Sequence, residues 1–64
     1  MELTEKQKQI CDMLVVGAGN KQIAQEMGIS INTVKMCLLT IMKKFGVKNR
    51  TELAIAYYKD INNE

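Results

Sequence analysis

Residues 21–46 read KQIAQEMGISINTVKMCLLTIMKKFG, and their punctuation dictates where the chain must bend. Ile23, Ala24 and Met27 recur at helical spacing, which predicts a short helix from Lys21 to Met27 with those three on its buried side. Gly28 ends it, because glycine accepts the left-handed backbone a helix exit needs. Ser30 then offers a side-chain acceptor to the free N–H groups of a new helix. That helix runs from Ile31 to Phe45, ~22 Å at 1.5 Å per residue, and Gly46 stops it. Ala24, Gly28 and Val34 each have a mechanical task. Ala24 lets the two helices cross closely, Gly28 turns the corner, and Val34 packs into the angle, with Ile23, Met27 and Ile29 closing it. This is the spacing of a helix-turn-helix, two helices at ~90–120° across a short turn. A plain αα-corner shares that spacing.

The longer helix has two faces when its residues are placed at ~100° per position. Val34, Cys37, Leu38, Ile41 and Phe45 fall on one side, which reads as core. Asn32, Lys35, Met36, Leu39, Thr40 and Lys43 fall on the other. A helix that reads DNA presents such a face to base edges and phosphates. Lys35 can reach guanine O6/N7 or a phosphate, and Asn32 and Thr40 can hydrogen-bond to bases or backbone. Asn20, Lys21 and Ser30 lie near helix N-termini, where free N–H groups and the helix dipole favour a phosphate.

Outside this segment two more helices are expected. Thr4 and Gln7 form a capping box for a helix from Glu5 to Val16, whose apolar stripe is Ile10, Cys11, Leu14 and Val15. Gly17 and Gly19 end it. Asn49 with Glu52 caps a last helix, from Arg50 to Ile61. No stretch alternates with a period of two, so no sheet is expected. The fold class is therefore all-α, a four-helix bundle containing a helix-turn-helix, with residues 1–64 as a single domain. Asn62 to Glu64 are expected to fray.

Composition narrows the function. At 64 residues the chain holds one domain at most. A domain so small buries only ~60% of the surface its unfolded chain exposes, so association would help stabilise it. The N-terminal MELTEKQKQI lacks the apolar stretch of a signal peptide, and no apolar run is long enough to span a bilayer, which points to the cytoplasm. Cys11 and Cys37 read as two small buried hydrophobes. With no His in the chain and no CxxC spacing, no metal or other cofactor is expected. No small-molecule ligand is evident. The sequence also lacks a Gly-rich phosphate loop, paired carboxylates in a pocket and a Cys–His pair, so it does not read as an enzyme.

The net charge of +2 hides a strong asymmetry. Residues 1–34 carry three Lys against four acids. Residues 35–50 carry Lys35, Lys43, Lys44, Lys48 and Arg50 with no acid. Residues 51–64 carry one Lys against three acids. A basic block in a near-neutral protein suggests an anionic partner on one face. An ordinary solvated helix surface can look the same.

The segments LTEKQKQICDMLVVGAGNKQIAQEMGIS and TVKMCLLTIMKKFGVKNRTEL resemble the LuxR/GerE/FixJ-type DNA-binding domain, over Leu3 to Tyr57. The most specific pieces are Gly17 with Asn20-Lys21-x-Ile23-Ala24, Ile29-Ser30-x-x-Thr33-Val34-Lys35, and Lys44-Phe45-Gly46-Val47-x-Asn49-Arg50. The resemblance implies a four-helix fold and dimeric binding to roughly two-fold symmetric promoter sites. Because Met1 stands just before the pattern, the chain looks like a stand-alone GerE-like form, prokaryotic or phage-like and nucleoid-associated; an excised fragment would look the same. Position by position, Lys35 and Met36 match the family's base-reading pair, and Leu39 a third DNA-facing position that is often basic or polar. Lys21, Lys44 and Arg50 match positions near the phosphate backbone. The chain departs from the pattern in three ways: Gly19 for a frequent capping Ser, Cys37 for a frequent His, and the apolar Met36 with Leu39.

The expected DNA site therefore comprises Asn32, Lys35, Met36 and Leu39 for bases. Asn20, Lys21, Ser30, Thr33, Thr40, Lys43, Lys44, Lys48 and Arg50 would serve phosphates. Met36 and Leu39 can meet thymine methyl groups, or can bind protein instead, such as RNA polymerase or a larger regulator. On the last helix Leu53, Ala54 and Tyr57 suffice to cover the core. Ile55, Tyr58 and Ile61 are surplus, which suggests a homodimer surface.

Overall fold

The computed structural model describes residues 2–63; Met1 and Glu64, with the expectations that rest on them, lie outside the described residues. Four helices follow one another: α1 (Glu5–Val15), α2 (Asn20–Met27), α3 (Ile31–Phe45) and α4 (Arg50–Asn62). No strand occurs among the described residues.

Three of the four helices start where a side chain meets their free N–H groups. The Thr4 hydroxyl accepts from the Gln7 N–H at 3.1 Å, while Gln7 Oε1 accepts from the Thr4 N–H at 3.0 Å. Ser30 Oγ accepts from the Thr33 N–H at 3.1 Å. Asn49 Oδ1 accepts from the Glu52 N–H at 2.9 Å, and Glu52 Oε1 accepts from the Lys48 N–H at 2.9 Å. Helix α2 differs, because its cap is Gly19 and has no side chain to offer.

The boundaries differ from expectation by one residue in three places. Helix α1 stops at Val15, and Val16 is an exposed cap rather than its last turn. The Gly17 N–H bonds to the Leu14 carbonyl and the Ala18 N–H to that of Met13, both at 3.0 Å, which closes the helix before Ala18 buries its methyl. Gly19 therefore does not end α1. Its backbone is extended, and its carbonyl accepts from Ile23 at 3.0 Å to open α2 at Asn20. Helix α4 continues through Asn62.

At the corner between α2 and α3, Gly28 adopts φ 68° and ψ 35°, a left-handed conformation that costs an ordinary residue roughly 1–2 kcal/mol. The Ile29 N–H then reaches back to the Ala24 carbonyl at 3.0 Å. Gly46 repeats the device at the end of α3, with φ 68° and the Val47 N–H on the Met42 carbonyl at 3.1 Å.

The core gathers Ile10, Cys11 and Leu14 of α1, Ala18, Ile23 and Ala24, then Val34, Leu38 and Ile41 of α3, and Leu53 and Tyr57 of α4. Ile10, Ile23, Ile41 and Leu53 are fully buried, each worth roughly 1.5–3 kcal/mol relative to exposure. Val15, Met27, Cys37, Phe45 and Ala54 are only half-buried at its edge. Cys37 is thus not the buried hydrophobe expected; it sits at the flank of the arc centred on Val34, Leu38 and Ile41. Phe45 meets the Tyr57 ring edge-on at 6.5 Å, and the Tyr57 hydroxyl donates to Asp12 Oδ1 at 2.6 Å, tying α4 to α1. The inner side of α3 is therefore gripped from three directions, which fixes what its outer side can present.

Candidate nucleic-acid interface

With Val34, Leu38 and Ile41 buried, helical geometry turns Asn32, Lys35, Met36, Leu39, Thr40 and Lys43 outward, and all six are exposed. Lys35 projects into solvent from the second turn of α3. Next to it, Met36 is 63% and Leu39 50% exposed, high values for side chains of that size on a rigid helix. Lys21 on α2 and Lys48 in the α3–α4 turn are exposed as well.

Several other candidate residues are already engaged within the protein. Ser30 Oγ and Thr33 Oγ1 lie 2.9 Å apart. The Thr40 hydroxyl donates to the Met36 carbonyl at 3.1 Å. The Lys44 ammonium donates to Gln7 Oε1 at 2.8 Å and to the Glu2 carbonyl at 3.3 Å, joining the end of α3 to the start of α1. Arg50 spans the base of the motif. Its guanidinium donates to Asn20 Oδ1 and, at 2.6 Å, to the Ala18 carbonyl, clasping the start of α4 to the start of α2. Lysine carries three donors and arginine five, so both cations keep donors for a phosphate. This positioning work is invisible in the sequence, since no spacing marks Ala18, Asn20 and Arg50 as neighbours.

Gln7 also borders the outer face. With Asn32, Thr33, Met36, Cys37 and Thr40 it lines an open depression of about 310 Å³ between α1 and α3. A second depression of about 540 Å³ lies at the far side, lined by Val15, Ala54, Ile55, Tyr58, Lys59, Asn62 and Asn63. Ile55 and Tyr58 are 51% and 59% exposed there, and Ile61 is exposed nearby. No group of three or more His, Cys, Asp or Glu among the described residues is placed to hold a metal ion. No helix of the described residues is long and apolar enough to cross a membrane.

A helix-turn-helix whose second helix leaves one flank exposed, with Lys35 and Lys43 on it and no acid, is an arrangement able to meet the DNA backbone and base edges. The chain belongs to the GerE group, the luxR family of bacterial regulatory proteins, whose family model matches residues 1–57. It is 45% identical over 58 residues to the CsgBAC operon transcriptional regulatory protein of Escherichia coli (strain K12), covering 91% of this chain and 26% of that protein. It is 49% identical over 51 residues to the monoamine regulon transcriptional regulator of Klebsiella aerogenes, covering 80% and 22% respectively. To the transcriptional regulatory protein DesR of Bacillus subtilis (strain 168) it is 38% identical over 50 residues, covering 78% and 25%. The chain thus spans about a quarter of the length of the curated relatives it matches.

Proposed function

We propose that this chain binds double-stranded DNA in a sequence-dependent manner and regulates transcription in the cytoplasm, with α3 as the recognition helix. The single observation that carries the reading is the division of α3 into a buried flank of Val34, Leu38 and Ile41 and an exposed flank of Asn32, Lys35, Met36, Leu39, Thr40 and Lys43. Asn32, Lys35, Met36 and Leu39 face base edges. Lys21, Lys43 and Lys48 neutralise phosphates. Lys44, Arg50 and Asn20 add phosphate contacts from positions fixed by their internal hydrogen bonds, and Ser30, Thr33 and Thr40 line the same side. No step of this activity needs catalysis or a cofactor.

Two copies associate through Ile55, Tyr58 and Ile61, the apolar surface of α4 that the core leaves uncovered. Each then lays α3 in a major groove, at half-sites about one helical turn, ~10–10.5 bp, apart. With roughly four phosphates neutralised per subunit, the affinity of a dimer falls with salt at a log–log slope of about −7.

Selection of bound duplexes from a random pool tests the reading. The expected product is a two-fold symmetric site with the spacing above. A pool that fails to enrich at low salt would refute it. The exposed Met36 and Leu39 favour one second reading, a module that docks on RNA polymerase or a larger regulator. Co-purification of such a partner, together with failure to enrich DNA, would favour that alternative.

A further inference from the structure

By sequence alone the outer face of α3 carries many polar groups able to question a base edge. The structure engages the proton of one of them, the Thr40 hydroxyl, which donates to the Met36 carbonyl, and beside that face it pairs the hydroxyls of Ser30 and Thr33. Asn32 and Lys35 remain at the N-terminal end, and Lys43 lies two turns further on. The middle of the face is left to Met36 and Leu39, both solvent-exposed.

These two side chains stand three positions apart on one helix, one above the other on the same face. Their separation along the axis is about 4.5 Å, against a rise of about 3.4 Å between base pairs. When α3 lies in a groove, that spacing lets the two side chains reach neighbouring base pairs. The one apolar group that the major-groove edge offers is the thymine 5-methyl. A cytosine in its place would present an N4–H donor to a thioether or an isobutyl group and leave that donor unpaired. The occupant is a nucleic-acid duplex rather than a protein surface, because Lys35 and Lys43 bracket the pair and residues 35–50 contain no acid. An apolar protein partner would have to bury those charges along with the patch.

We infer that Met36 and Leu39 together read the 5-methyl groups of thymines on neighbouring base pairs in each half-site. This rests on the DNA-binding reading above and specifies what that surface selects. The half-site then has an A·T core under the middle of α3, beside the base pair addressed by Lys35.

The test replaces each thymine of the selected duplex, one at a time, by deoxyuridine, which removes only the methyl group, and measures binding by fluorescence anisotropy. At the contacted positions each replacement is expected to weaken binding about fourfold, the worth of one methylene-sized group withdrawn from water. Replacing both thymines is expected to weaken it about fifteenfold. Met36→Ala and Leu39→Ala should each lose the preference for thymine over uracil at one position while still binding the duplex at low salt. Both side chains are exposed, and unchanged thermal melting will certify that the variants are folded. If the chain binds thymine and uracil duplexes equally well, or if the Ala variants keep the preference, the methyl readout is overturned and duplex binding itself stands. If no duplex is enriched at all, the DNA-binding reading falls first and this one with it.

Discussion

Removing the Arg50 side chain should loosen the motif from below. Its guanidinium makes two hydrogen bonds, to Asn20 Oδ1 and to the Ala18 carbonyl, bridging the starts of α2 and α4. A hydrogen bond to a charged group contributes ~1.5–3 kcal/mol. Arg50 is half-buried, so water partly replaces these bonds on truncation, and the pair together is expected to be worth about 2 kcal/mol. For a domain this size each kcal/mol moves the melting temperature by ~4–8 °C, so Arg50→Ala should melt roughly 8–16 °C lower. Far-ultraviolet circular dichroism during heating, with urea unfolding as a check, measures this. Asn20→Ala removes one of the two acceptors, so the double variant should be less than additive by about 1 kcal/mol. Arg50→Lys keeps the charge but not the two-pronged geometry, and should recover less than half of the loss. An Arg50→Ala variant that melts with the parent, yet shows a shallower salt dependence on DNA, would refute the clasp. Arg50 would then be a phosphate contact only.

Other consequences follow from particular residues. Gly28→Ala forces a side chain into the left-handed corner, where open space surrounds the added methyl but φ is +68°; a loss of about 1 kcal/mol by urea unfolding is expected, with Gly28→Asn milder. Burial, reinforced by the Asp12 carboxylate, pushes the Cys11 thiol from 9.0 up to about 11. The unfolded chain therefore releases this proton first, and stability should fall as pH rises through that window, by up to about 1.4 kcal/mol per unit. Urea titrations of parent and Cys11→Ala compared across the window isolate this slope, which the variant lacks. Ile55→Glu charges the uncovered face of α4; light scattering should then report monomers, with weakened binding to a two-half-site duplex and unchanged binding to a single half-site.

Much of the fold is legible in the sequence because its signals are local. Thr4 with Gln7, Ser30, and Asn49 with Glu52 announce helix starts through bonds that close within three residues. Gly28 and Gly46 announce ends through backbone freedom. The two faces of α3 and the surplus apolar residues of α4 follow from helical periodicity. Gly19 was ambiguous, because a glycine can end one helix or begin the next, and only the carbonyl bond to Ile23 decides. The contacts that carry no local signature are the ones sequence reading misses. Arg50 finds Ala18 and Asn20, Lys44 finds Gln7, and Tyr57 finds Asp12 only once the bundle has closed. They matter for the site, since they redirect cations expected on phosphates toward holding helices in place. The hydroxyls of Thr33 and Thr40 show the same effect on a smaller scale, finding Ser30 Oγ and the Met36 carbonyl inside the protein.

Backbone amide shifts of the isotope-labelled chain, followed by nuclear magnetic resonance as the selected duplex is added, interrogate α3 residue by residue. The largest changes are expected on residues 30–40, with lesser ones at Lys21, Lys43 and Lys48. Changes centred instead on α1 and α2 at the exposed Asp12 and Glu26, with α3 unmoved, would contradict that placement.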